Sequence, residues 1–91
     1  MKTLADVFGS SVYILTLDLF LANQEELMNL REIARRIGRN PGSVVRVLPL
    51  LLNRGFVTST RIGSKIVAYK LNQENNTVIL LLEFRDKLGE I

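Results

Sequence analysis

The sequence predicts an α+β fold, mainly α with one small β-hairpin. Three observations predict it. Apolar residues recur at helical spacing in four separate stretches, and Asn, Gly and Pro fall where those stretches should begin and end. Two short runs rich in β-branched and aromatic residues, 56–62 and 65–71, meet at Gly63-Ser64. The 91 residues are expected to form one domain, 1–91, in which each element packs against most of the others.

Residues 3–8 allow a short helical turn. From Ser10 or Ser11 to about Ala22, the residues Val12, Leu15 and Leu19 follow one helical stripe. Tyr13, Leu17, Phe20 and Leu21 make a second stripe, so only Thr16 and Asp18 interrupt an apolar circumference. The polar stretch 23–26 ends this helix, and Met28 to Leu30 suit a brief strand. Asn29, with Glu32 three residues on, forms a capping box at the start of a second helix. Leu30, Ile33, Ala34 and Ile37 then make its buried stripe and Arg31, Arg35 and Arg36 its solvated face. Gly38 stops it, as a residue free to take positive φ does.

Asn40-Pro41 starts again at once, an Asn cap followed by Pro at the first helical position, where the missing N–H costs nothing. This third helix is expected to reach about Arg54 and end at Gly55. Pro49 sits in its middle, where it removes the hydrogen bond to the Val45 carbonyl at a cost of about 3 kcal/mol in a regular helix. A kink or local irregularity is therefore expected between Val45 and Pro49. Two helices separated by about three residues around a Gly make a helix-turn-helix. Gly63-Ser64 is a two-residue hairpin signal. Asn72 can cap a last helix, from about Glu74 to Leu88, with Val78, Leu81, Leu82 and Leu88 along one face.

Composition removes most enzyme classes. Cys and His are both absent, which excludes disulfides, thiolate or imidazole metal ligation and nucleophiles served by a His base. The remaining Asp, Glu, Lys, Tyr and Ser residues form no catalytic constellation, so neither enzymatic activity nor a cofactor or metal is expected. Asp6 and Asp18 interrupt the apolar N-terminal part, no cleavage pattern follows it, and no apolar run approaches the roughly 20 residues that span a bilayer. A cytoplasmic protein without a membrane partner is the expectation.

Charge is distributed unevenly. Nine of the twelve Lys and Arg residues lie between Asn29 and Lys70, where Glu32 is the one acid, so that segment carries +8 while the rest carries −5. Such a division points to a polyanion that one part of the fold faces and the other avoids.

The run Leu30-Arg31-Glu32-Ile33-Ala34-Arg35-Arg36-Ile37-Gly38, followed by Ser43-Val44-Val45-Arg46-Val47-Leu48, Leu51 and Gly55-Phe56-Val57, resembles the winged helix-turn-helix of transcriptional regulators of the ArsR and MarR type. It is most like archaeal examples. The resemblance covers residues 10–71 and leaves 72–91 as a C-terminal helix packing near the first helix. It implies a double-stranded DNA partner, with the helix from Pro41 in the major groove and the hairpin wing on the backbone or minor groove.

Residue chemistry supports that placement. With Val44, Leu48 and Leu51 packed on Ile33, Ala34 and Ile37, the residues Arg39, Asn40, Ser43 and Arg46 turn outward. Arg46 is the candidate base reader, since a guanidinium bridges the two acceptors of guanine. Arg39, Asn40 and Ser43 suit phosphates or the first bases at the helix N-terminus. Arg61 and Lys65 flank the wing tip at Gly63-Ser64, where cations suit phosphate or a narrow minor groove, and Arg35 can hold the flanking backbone. The groove helix is more apolar than such regulators commonly show. Val45, Val47, Leu50 and Leu52 imply either modest base specificity, a protein-docking role or repacking inside the domain.

The first helix is apolar nearly all round, and the last contains Val78-Ile79-Leu80-Leu81-Leu82 and Phe84. Helices of this kind must be buried on all sides, and a domain of this size has too few elements to surround two. A homodimer is expected, with Tyr13, Leu17, Phe20, Leu21, Ile79, Leu80, Phe84 and Leu88 at its interface. The leading expectation is a transcriptional regulator that binds duplex DNA. The alternative is a winged-helix protein-interaction module of the transcription machinery, without sequence-specific DNA binding.

Overall fold

Thr3 starts the first helix, α1 (Leu4–Phe8), by a capping box with Asp6. The computed structural model describes residues 2–91. Ser11 caps α2 (Val12–Ala22), its hydroxyl accepting from the Ile14 amide at 3.1 Å. A two-residue strand, β1 (Met28–Asn29), leads directly into α3 (Leu30–Ile37), and α4 (Pro41–Asn53) follows after a short turn. The hairpin strands are β2 (Val57–Ile62) and β3 (Ile66–Leu71), and α5 (Asn76–Gly89) closes the chain. The strands form one antiparallel sheet in the order β1-β3-β2.

The local signals in the helix-turn-helix behave as their chemistry requires. Asn29 accepts from the Glu32 amide at 2.9 Å, and Gly38 takes the left-handed conformation, φ 68°. Its own amide and that of Arg39 return to carbonyls of the last turn of α3. Asn40 accepts from the Gly42 amide at 2.7 Å with Pro41 in the first helical position. One half of the expected capping box is replaced. The Glu32 carboxylate turns to Arg35 and Arg36, because two guanidiniums attract it more strongly than one cap amide.

The helix α4 includes Pro49 and runs on to Asn53, close to its expected end near Arg54. Three expectations need correction. First, the wing loop has three residues, Gly63, Ser64 and Lys65, because strand pairing closes at Ile62 opposite Ile66. Second, the last helix is capped by Asn75, which accepts from the Thr77 and Val78 amides. Asn72 is instead held by the turn after α4, its side chain donating to the Gly55 carbonyl at 2.9 Å.

The third correction concerns α2. Leu17, Phe20 and Leu21, expected at a dimer interface, are core residues at 4%, 0% and 1% exposure. Val12, Leu15 and Leu19 are the half-buried ones. An all-round apolar helix does not reveal which stripe faces inward, and here α1, α3, α4 and β3 surround the second stripe. Leu88 is likewise buried within the single chain. The centre of the domain is formed by Leu17, Phe20 and Leu21 with Met28, Ile33, Val44, Leu51, Val57 and Val78.

Among the expected interface residues, Ile79, Leu80 and Phe84 remain exposed, and Phe8 of α1 joins them with its ring centroid 6.3 Å from that of Phe84. Buried Asp18 fixes this end of the molecule. Its carboxylate accepts from the Leu4 and Ala5 amides at 2.8 and 2.9 Å and lies 3.6 Å from the Arg85 guanidinium of α5.

Candidate nucleic-acid interface

The inward stripe of α4, Val44, Val47, Leu48 and Leu51, locks it against the rest of the core. Helical periodicity then leaves Gly42, Val45, Arg46, Pro49 and Asn53 on the solvent side, all exposed. Among the described residues Arg46 has no intramolecular ion pair, so its fork of donors is available to an external acceptor. The adjacent Val45 is 51% exposed, and its methyl groups suit a thymine methyl. Leu50 is exposed, whereas Leu52 is half-buried against the core and Val47 belongs to it. Repacking thus accounts for two of the four apolar side chains that set this helix apart.

Most of the other cations are engaged inside the molecule. Arg35 makes a two-pronged contact with Glu32, Nε to Oε1 at 3.2 Å and Nη2 to Oε2 at 2.6 Å. Arg36 reaches both Glu32 and Glu26. The hydrogen bonds from Arg35 and then Arg36 hold the Glu32 carboxyl below the ordinary value of 4.5, and the same contacts with Glu32 and Glu26 raise Arg36. Arg35 nevertheless keeps 71% of its side chain exposed and can also meet a phosphate.

Two arginines that flank α4 tie its ends to the N-terminal part of the chain. Arg39 donates from Nη2 to the Ser10 carbonyl at 3.3 Å. At the other end Arg54 donates to the Tyr13 hydroxyl at 2.7 Å, its guanidinium carbon 5.3 Å from the ring centroid. Tyr13, another expected interface residue, is therefore half-buried and occupied by Arg54. Lys70 lies 3.5 Å from Glu25. Asn40 uses its carbonyl oxygen in the helix cap and retains its amide donors, while Ser43 is half-buried beside it.

On the wing, Arg61 and Lys65 are not cross-strand partners. Arg61 stands opposite Val67 and donates back across the loop to the Ser64 backbone carbonyl at 3.4 Å. Lys65 belongs to the tip itself and makes no ion pair among the described residues. It lines an open groove of about 520 Å³ with Asn29, Arg31, Ile66, Val67 and Tyr69. Arg31 also has no ion-pair partner there. Sequence reasoning placed Arg31 on the solvated face of α3 but gave it no role. The signal was present: Glu32 is spaced three and four residues from Arg35 and Arg36, positions that face it on a helix, while its immediate neighbour Arg31 points away.

Three helices around a tightly turned helix-turn-helix, followed by a basic β-hairpin, define a winged helix-turn-helix. The model of the IclR helix-turn-helix domain family matches residues 16–61, half of the sequence, and the chain belongs to that family. Among curated proteins, none matches significantly. Solved structures with the same fold include MepR, a transcription regulator of the Staphylococcus aureus multidrug efflux pump MepA. It is 17% identical, with a TM-score of 0.69 over 96% of this chain and 62% of MepR.

Lactococcus lactis ZitR in complex with DNA is 20% identical, with a TM-score of 0.56 over 86% of this chain and 51% of ZitR. A MarR-family transcriptional regulator from Rhodococcus is 21% identical, with a TM-score of 0.62 over 89% of this chain and 56% of its own. The chain thus spans between half and two thirds of the length of these proteins. All three are bacterial, and they give no support to the archaeal side of the resemblance. Among the described residues no helix is long and apolar enough to cross a membrane, and no cluster of three His, Cys, Asp or Glu side chains could hold a metal ion.

Proposed function

We propose that this chain is a transcriptional regulator that binds duplex DNA, with α4 in the major groove and the β2-β3 wing on the backbone or minor groove. One observation carries the reading. On the outward face of a helix-turn-helix recognition helix, Arg46, which has no ion-pair partner among the described residues, and its chain neighbour Val45 are both exposed, a donor fork and an apolar contact on one helix. Guanine next to thymine offers the matching surface. Arg35, Arg39, Asn40, Ser43, Arg61, Ser64 and Lys65 supply contacts around it, and those already bonded internally act as positioned donors at the backbone. The proposal includes no catalytic step, cofactor or metal, and places the protein in the cytoplasm.

The proposed active form is a homodimer joined through the exposed apolar surface of Phe8, Ile79, Leu80 and Phe84, which presents two recognition helices to half-sites on one duplex. A second reading has its own observation. Val45 and Leu50, exposed on the same helix, could seat a protein instead of a base step. Arg46→Ala separates the two when binding is measured by fluorescence anisotropy on a set of duplexes. DNA reading predicts a loss of about 1–3 kcal/mol confined to sequences that keep one base pair. Undiminished DNA affinity would favour the protein-docking module.

A further inference from the structure

We infer that Arg31 and Lys65 form a clamp for one strand of the sugar-phosphate backbone, seated in the groove between the start of α3 and the wing. The inference rests on the duplex-DNA reading and adds to it a binding site that α4 does not provide. The groove exists because β1 is so short. It pairs with β3 only at Tyr69 and Ala68, and the chain turns into α3 at Leu30. Ile66 and Val67 are therefore left without a neighbouring strand on that side, and the gap is the open groove of about 520 Å³.

Its chemistry is that of a phosphodiester strand. Two cations from separate elements, Arg31 of α3 and Lys65 of the wing tip, line it, and no acid does. Neither cation has an ion-pair partner among the described residues, whereas Arg35, Arg36, Lys70 and Arg85 each have one. A charge held in a groove without a counter-charge lacks its natural partner, and phosphate supplies one with several acceptor oxygens. The other wall, half-exposed Ile66 with Val67 and Tyr69, gives a low apolar surface for the deoxyribose faces between phosphates. Arg31 can grip a phosphate oxygen pair while Lys65 acts as a point charge. Together they would anchor the wing relative to α3 and so set the angle at which α4 enters its groove.

The test measures duplex affinity of the full chain across a salt series for wild type, Arg31→Ala, Lys65→Ala and Arg31→Lys. Lys87→Ala on α5 serves as a cation control, and a thermal melt confirms that each variant folds. Each alanine change should flatten the slope of log affinity against log salt by about 0.9, equally on preferred and random duplexes. The gap from wild type then narrows about threefold between roughly 50 and 200 mM salt. Arg31→Lys should restore the slope, and Lys87→Ala should leave it unchanged. A duplex carrying neutral methylphosphonate at successive positions should bind wild type less well at two nearby phosphates, and Arg31→Ala should become insensitive at one of them.

Wild-type DNA binding with an unaltered slope for Arg31→Ala overturns the clamp and leaves the DNA reading standing, as it would if the groove held an acidic protein segment. Failure of the wild type to bind any duplex at low salt overturns the DNA reading and the clamp with it.

Discussion

Asp18→Ala is the perturbation whose cost follows most directly from the structure. The Asp18 side chain accepts two backbone N–H groups at the start of α1, from Leu4 at 2.8 Å and Ala5 at 2.9 Å, in a residue only 8% exposed. Hydrogen bonds to an ionised group contribute about 1.5–3 kcal/mol each, and a buried amide left unpaired carries its desolvation penalty. The sum is bounded, because α1 can instead come away from the body. Release exposes Leu4, whose burial is worth about 1.5–3 kcal/mol, together with the smaller contacts of α1.

The expected destabilisation is therefore about 2–4 kcal/mol, or at least about 8 °C in melting temperature for a domain of this size if the loss is global. Local release has a different signature. The amides of Leu4 and Ala5 lose hydrogen-exchange protection while those of α3 and α4 keep theirs. Asp18→Asn, which retains one acceptor oxygen, should fall between the two proteins. Arg85→Ala removes the 3.6 Å ion pair, whose two side chains are only 24% and 11% exposed, and should cost more than the ~1 kcal/mol of a surface pair, because it leaves a mostly buried carboxylate without its cation. Denaturant titration with exchange measured by NMR decides the matter. An Asp18→Ala protein with unchanged stability and unchanged protection at Leu4 and Ala5 would refute this account of how α1 is held.

Other perturbations address the charge network and the exposed apolar surface. Glu32 has its folded-state pKa lowered by Arg35 and Arg36, so its contribution is complete above the unfolded value of about 4.5 and is lost as pH falls through the lower folded value. Glu32→Gln should remove that part of the acid limb below about pH 4.5 in a pH series of melts, and an identical acid limb would show the network to be neutral. Leu80→Glu places a charge on the exposed surface of Leu80 and Phe84 and should shift sedimentation to the monomer without lowering the melting temperature at low protein concentration. An unchanged dimer would move the interface elsewhere. Leu51→Ala, at a fully buried position on α4, should cost about 2–5 kcal/mol by denaturant titration; a loss below about 1 kcal/mol would contradict its central place in the core.

Local chemistry was the legible part of the sequence. Asn29, Gly38, Asn40 and Pro41 mark the helix-turn-helix because each acts on backbone groups within a few residues of itself. Features decided at long range were not legible. Asn72 and Asn75 are equally good caps in isolation; in the fold the Asn72 amide reaches the Gly55 carbonyl 17 residues earlier and its oxygen accepts from the Glu74 amide in the turn before α5, while Asn75 caps the helix itself. The hairpin loop gained Lys65 because its length depends on where Ile62 and Ile66 pair.

The inward face of α2 was hidden for a different reason. Its apolar residues run all round, so periodicity names two stripes without ranking them, and Leu17, Phe20 and Leu21 became core. At the site, clustered charge showed which part of the chain was basic but not which cations were free. Arg39 and Arg54 meet acceptors 29 and 41 residues away, contacts that no local pattern encodes. The outward position of Arg46 was legible because helical spacing alone turns it away from Val44, Val47 and Leu48.

The cations without an ion-pair partner among the described residues are proposed to meet the phosphates and bases of duplex DNA. Equilibrium binding of the wild-type chain to a duplex, followed by fluorescence anisotropy across a salt series, tests it most directly. The expected result is a straight fall of log affinity with log salt, at about −0.9 per neutralised phosphate and so steeper than about −1.8 if Arg31 and Lys65 both engage. Affinity that does not change with salt, or no binding at low salt, would contradict it.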